Sequence, residues 1–172
     1  MKTLSFASVV ALLFLSGAMV SCDKLNSEKT EIIASDWISP NWQSGSFYSI
    51  NGYYYEWNIE ALTKEILDKG VILVYFKNWN NEVFQLPMVA EDGIQALDYT
   101  AHVGKIFLWY YWLQGTPNQP PHSSSKFRYV LIPSQSAERP VNNTLDLKAY
   151  LAEHGVDIHN YRQVCAFYGL TP

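Results

Sequence analysis

Cysteine is almost absent from these 172 residues: only Cys22 and Cys165 occur, too few for a disulfide scaffold, so apolar burial must hold any core. The apolar run from Phe6 to Leu15 falls well short of the roughly 20 residues that a membrane-spanning helix needs. Basic residues are few and scattered. Lys and Arg number 12 against 16 Asp and Glu, for a net charge of −4, and no basic cluster marks a nucleic-acid partner. The signatures of common catalysis are missing as well: there is no G-x-S-x-G elbow, no H-E-x-x-H, no phosphate loop and no C-x-x-C. The four histidines, His102, His122, His154 and His159, are scattered, and the last two stand five apart across Gly155, wrong for one helix face. Spacing therefore indicates no metal set, no cofactor and no catalytic residue, and the chain reads as non-enzymatic.

What is present begins at the N-terminus. Lys2 supplies a positive start, the Phe6–Leu15 run follows, and small residues lead to Cys22, the layout of a cleavable export segment. Met19-Val20-Ser21-Cys22 resembles the lipobox of bacterial lipoproteins, with Met19 where leucine is commoner. That resemblance implies cleavage before Cys22 and a diacylglycerol thioether on its sulfur. Several acyl chains hold firmly where one holds marginally, at about 0.8 kcal/mol per buried methylene. An ordinary signal peptide cut at Ala18, leaving Cys22 a free thiol, is the alternative. The expected organisation is a signal peptide over 1–21, a lipidated polar tether over 22–30, and a single domain over 31–172. A domain of about 150 residues holds a core without cross-links, and losing Lys2 makes the mature chain one charge more acidic.

Aromatic residues make up 15% of the sequence, and they suit half-buried pleated surfaces. The pattern from Glu31 onward is β. Glu31–Trp37 reads as a first strand, and Asn51-Gly52, between Phe47–Ile50 and Tyr53–Asn58, reads as a hairpin turn. One short helix follows, with Thr63 as N-cap and Gly70 as terminator. Val71–Phe76 is apolar and β-branched throughout, as a central strand covered on both faces should be. Glu82–Leu86 is a strand that Pro87 ends. Leu97, Tyr99, Ala101 and Val103 alternate with Asp98, Thr100 and His102, Ile106–Leu113 is apolar on both faces, and Phe127–Ile132 closes the set. Gly115–Ser125, rich in proline and serine, is a long loop. Near the end, Leu145–Tyr150 is echoed by Val156–Tyr161, with Asp146 and Asp157 as candidate caps of one or two short helices. Eight or nine short strands predict a mainly β fold, an antiparallel β-sandwich of jelly-roll or Ig-like type, with a closed barrel as the runner-up.

The ordered segments Gly70–Tyr75, Gln85-Leu86-Pro87, Phe127–Pro133, Tyr161-x-x-Val164 and Tyr168-Gly169-Leu170 resemble a family of uncharacterised secreted lipoproteins and collagen-like proteins of Bacteroidetes. The resemblance runs from about Leu62 to the C-terminus. It implies a β-sandwich outside the cytosol and offers no catalytic residues to carry over. Acidic residues beside Cys22 resemble surface-export signals in that phylum, whereas an aspartate there resembles an inner-membrane retention signal in enterobacteria. The expected address is the cell envelope, lipid-anchored in the outer membrane, with its face left open.

Two functional readings follow. One is a non-enzymatic accessory module meeting an envelope protein. The other is a carbohydrate-binding lipoprotein of a polysaccharide-uptake system. For the second, Trp42, Trp79 and Trp112 lie beside Asn41, Asn78, Asn80, Asn81 and Gln114, flat rings next to amides that bond hydroxyls. Core packing explains the same tryptophans, since a buried indole also needs a partner for its N–H. Glu56 and Glu60 flank Trp57 and would suit a glycosidase only if both faced one cleft. Arg128, on the opposite side of its strand from Phe127 and Tyr129, either meets an acid or snorkels.

Overall fold

The computed structural model describes residues 31–134 and 143–172; Cys22 and its flanking segment lie outside them. Among the described residues, nine strands form two antiparallel sheets. In chain order they are β1 (Ile33–Ala34), β2 (Gln43–Phe47), β3 (Ile50–Asn58), β4 (Val71–Lys77), β5 (Val83–Gln85), β6 (Met88–Val89), β7 (Gln95–His102), β8 (Lys105–Trp112) and β9 (Lys126–Ile132). The four-stranded sheet runs β1-β9-β4-β5 and the five-stranded sheet β2-β3-β8-β7-β6. The fold is a β-sandwich, as the strand pattern predicts, and the described residues form no closed barrel. Helix α1 (Lys64–Lys69) precedes β4, while α2 (Thr144–Glu153) and α3 (Tyr161–Tyr168) follow β9.

The central strand behaves as its composition dictates. On one face of β4, Val71, Leu73 and Tyr75 join Leu147, Leu151, Ile158 and Val164 in a core beneath α2 and α3. On the other, Val74 joins Leu62, Leu86, Leu108 and Phe127 between the two sheets. The molecule is thus three layers deep, helices on sheet on sheet, with β4 and β9 in the middle. Cys165 is a free, fully buried thiol in the helix-side core.

Helix ends follow side-chain chemistry. Thr63 Oγ1 accepts from the Ile66 N–H at 3.3 Å, as expected of a cap. At α2 and α3 the caps are Asn143 and Asn160, not Asp146 and Asp157. Asp146 sits three residues in, where its N–H donates to Asn143 Oδ1 and its carboxylate accepts from Asn143 Nδ2, a reciprocal box. Asp157 instead caps the turn before α3, accepting from the His159 N–H at 3.0 Å. Gly169, at φ +66°, ends α3 in the left-handed region.

The hairpin turn is displaced from its strongest signal. Asn51 and Gly52 lie within β3, and the turn falls at Tyr48-Ser49, both at positive φ (47° and 70°). Gly52 is used for closeness instead: a Cβ there would stand 2.2 Å from the Tyr110 carbonyl oxygen. The first strand is shorter than its pattern, with only Ile33 and Ala34 paired to β9 and a lone bridge at Ile38–Phe127. The chain crosses between sheets at Leu86-Pro87, a cis bond, so proline does end β5.

Candidate functional site

Side chains opposite each other in an antiparallel pair share a face. β3 and β8 pair from Gly52↔Tyr111 to Asn58↔Lys105, which sends Tyr55, Trp57, Ile106 and Leu108 to the inter-sheet core. The alternate residues, Tyr54, Phe107, Trp109 and Tyr111, face outward. Phe47 of β2 joins them, and the result is a continuous aromatic surface on the five-stranded sheet. Trp109 is its centre, with ring centroids 5.0 Å from Phe47, 5.6 Å from Tyr54 and 6.0 Å from Phe107. The tilts are shallow, 25° to 35°, so the rings spread across the sheet and leave their faces partly open. All three helices make their main contacts with β4 and β5 of the other sheet.

Two glycines make this surface flat. A Cβ on Gly45 would lie 2.6 Å from the Tyr54 ring, so its absence lets that ring rest across β2. Gly52, as above, lets β3 press against β8. Polar groups border the rings. The Trp109 indole N–H donates to Thr100 Oγ1 at 3.1 Å, and Tyr54 Oη donates to Gln43 Oε1 at 2.9 Å. Lys105 pairs with Glu56 at 2.6 Å, and His102 meets Phe107 edge-on at 5.8 Å. Asp98 is the cross-strand partner of Trp109. Burial raises its carboxyl above the ordinary aspartate range, partly offset by the Tyr99 N–H that it accepts. Tyr111 is raised too, first by burial and then by the charge of Asp98, which places that charge beside the platform.

Such a surface has a definite chemistry. Aromatic faces carry negative potential and attract weakly positive C–H groups. Carboxylate, amide and hydroxyl groups at the rim can hold hydroxyls. Glu56 is tied to Lys105 on the outer face while Trp57 lies inside, so Glu56 and Glu60 do not frame Trp57 in a cleft. Among the described residues, no group of three His, Cys, Asp or Glu could hold a metal.

The three tryptophans singled out by sequence have separate places. Trp42 packs edge-on to Phe127 at 5.5 Å, against the inter-sheet core. Trp112 packs against the same core and donates its indole N–H to Tyr110 Oη at 3.0 Å. Trp79 is 70% exposed and borders a cavity of about 210 Å³ with Asn78, Phe76, Tyr110 and His122. The structure does not set the three on one face. Phe47, Tyr54, Phe107, Trp109 and Tyr111 form the platform, and the signal for it was the alternation of Phe107, Trp109 and Tyr111 with Ile106, Leu108 and Tyr110. Arg128 meets no acid among the described residues; it is buried and donates to Tyr161 Oη at 2.5 Å and to the Thr171 carbonyl. Compared with known proteins, the chain matches no family model, no curated protein and no solved structure.

Proposed function

We propose that the protein is a lipoprotein of the cell envelope, anchored in the outer membrane through Cys22, whose sandwich is a non-enzymatic carbohydrate-binding module. The observation that carries the binding reading is the partly open ring surface around Trp109, rimmed by Asp98, Thr100, Gln43 and Glu56. A pyranose stacks its C–H face on such rings and offers its hydroxyls to the rim. The anchor rests on the Met1–Cys22 pattern and fits the Bacteroidetes lipoprotein resemblance.

A glycan array probed with the purified protein tests the binding reading, followed by titration of any hit with tryptophan fluorescence. Trp109→Ala and Tyr54→Ala should each weaken binding about tenfold, the order of one ring contact, with unchanged circular dichroism. Retention of no glycan, or wild-type affinity in both variants, overturns it. The same patch would also suit an envelope protein, because an aromatic surface with a polar rim is a usual interface signature. Cross-linking in intact cells through a photoreactive group at position 109 separates the two occupants.

A further inference from the structure

Between the two sheets the core is incomplete at one end. Leu97 and Tyr110 lie within it, Phe76 and Met88 pack at its edge, and the four border a cavity of about 210 Å³. Protein interiors pack as densely as organic crystals, and a gap much larger than one water is rare in them. Ser125, from the end of the proline- and serine-rich loop, forms another part of the wall. Trp79, on the turn between β4 and β5, stands exposed at the lip.

Most polar groups around the cavity are already paired. Tyr110 Oη donates to Gln95 Oε1 at 2.9 Å and accepts the Trp112 indole N–H at 3.0 Å, while Gln95 Nε2 donates to Asp92 at 2.7 Å. Asn78 Oδ1 accepts the Asn80 and Glu82 N–H groups, and its Nδ2 donates to Glu82. One group stands apart. Ser125 is 4% exposed and its N–H donates to the His122 carbonyl at 2.8 Å, but its hydroxyl has no partner among the described residues. A buried hydroxyl left unpaired is costly. Apolar walls with one open hydroxyl complement a ring that carries one polar group. Size agrees: an apolar cavity of about 150 Å³ admits benzene, so 210 Å³ holds a ring with a hydroxyl and a small substituent.

We propose that this cavity binds a free phenol-class compound, its ring between Phe76, Leu97 and Tyr110, its hydroxyl on Ser125 Oγ and its outer edge under Trp79. A pyranose, hydroxylated all round, would set most of its polar groups against apolar walls. The site is independent of the Trp109 surface, because Leu97 and Tyr110 are cross-strand partners on the core side of that sheet. Isothermal titration of the purified protein with p-cresol, toluene and N-acetyl-tyrosinamide tests it. p-Cresol should saturate with a dissociation constant of about 0.1–1 mM, and toluene, which lacks the hydroxyl, should bind about fivefold more weakly. Ser125→Ala should bring p-cresol down to the level of toluene. Trp79→Ala, at an exposed position, should weaken both about fivefold. Lys64→Gln, in an exposed pair beyond the far end of β4, should change neither. Absence of p-cresol saturation, equal wild-type affinity for p-cresol and toluene, or wild-type affinity in Trp79→Ala overturns the site. Tighter binding of N-acetyl-tyrosinamide than of p-cresol overturns the free ligand in favour of a tyrosyl side chain. Should Ser125→Ala unfold, the wild-type ratio of the two rings and Trp79→Ala keep the test decisive.

Discussion

At the scale of single residues, what matters most is where a side chain is missing. Gly52→Ala would place a methyl against the Tyr110 carbonyl, a backbone atom that cannot swing aside. Overpacking of this kind costs about 3 kcal/mol or more, and urea unfolding should show it as a lowered midpoint. Gly45→Ala meets only the Tyr54 ring, a side chain that can turn, so its cost should be smaller while the platform loses its flatness. Asp98 gives a pH signature. Its folded carboxyl titrates above the unfolded value, so between the two the native state binds more protons and stability falls as pH rises. Asp98→Asn, which retains the oxygen that accepts the Tyr99 N–H, should therefore raise the melting temperature at pH 7. After solvent screening the gain is only about a degree or two. It should vanish below about pH 4, where the unfolded aspartate is also protonated. Scanning calorimetry at pH 3.5 and pH 7 checks the sign.

At the scale of elements, local chemistry was readable where it had no competitor. Thr63 and Gly70 bound α1, the Val71–Phe76 run became a strand covered on both faces, and Gly169 stopped α3. Asn51-Gly52 misled because a tertiary demand outranked turn propensity: the glycine was needed where β3 crosses close to Tyr110. The turn then fell on Tyr48-Ser49, residues that pay for positive φ at both positions. Replacing them with Asn-Gly should stabilise the hairpin by about 1 kcal/mol, read as a rise in the urea midpoint at unchanged slope. The platform was half legible. Ile106–Leu113 is apolar on both faces in sequence, but period-two alternation cannot say which face a second layer will cover. Helices α2 and α3, more than 30 positions further along the chain and covering the fold's other sheet, would have had to be placed first. For the same reason Trp42 and Trp112 read as candidates until the sheets were stacked over them.

At the scale of the whole molecule, the three layers divide the labour of the two outer surfaces. One side of the middle sheet is sealed by α2 and α3, and one side of the five-stranded sheet is left to aromatic rings. If Cys22 carries lipid, Cys22→Ser should move the protein from the membrane to the soluble fraction on detergent-free fractionation, and intact-mass analysis of the wild type should show acyl mass on an N-terminal cysteine. An unmodified residue upstream of Cys22 in the mature chain would set that anchor aside.

The brevity of β1 has a mechanical meaning. Two residues zipped to the rim of the four-stranded sheet, the Ser35 contacts to Tyr129, one bridge at Ile38 and the packing of the Trp37 ring join the leading segment to the body. A tug arriving from that end loads those contacts one after another rather than together, so residues 31–38 should peel from the sheet edge before the remaining strands part. Pulled from that end, the protein would lengthen a little before it surrendered its shape, and optical-tweezer traces should show that small early step ahead of the main rupture.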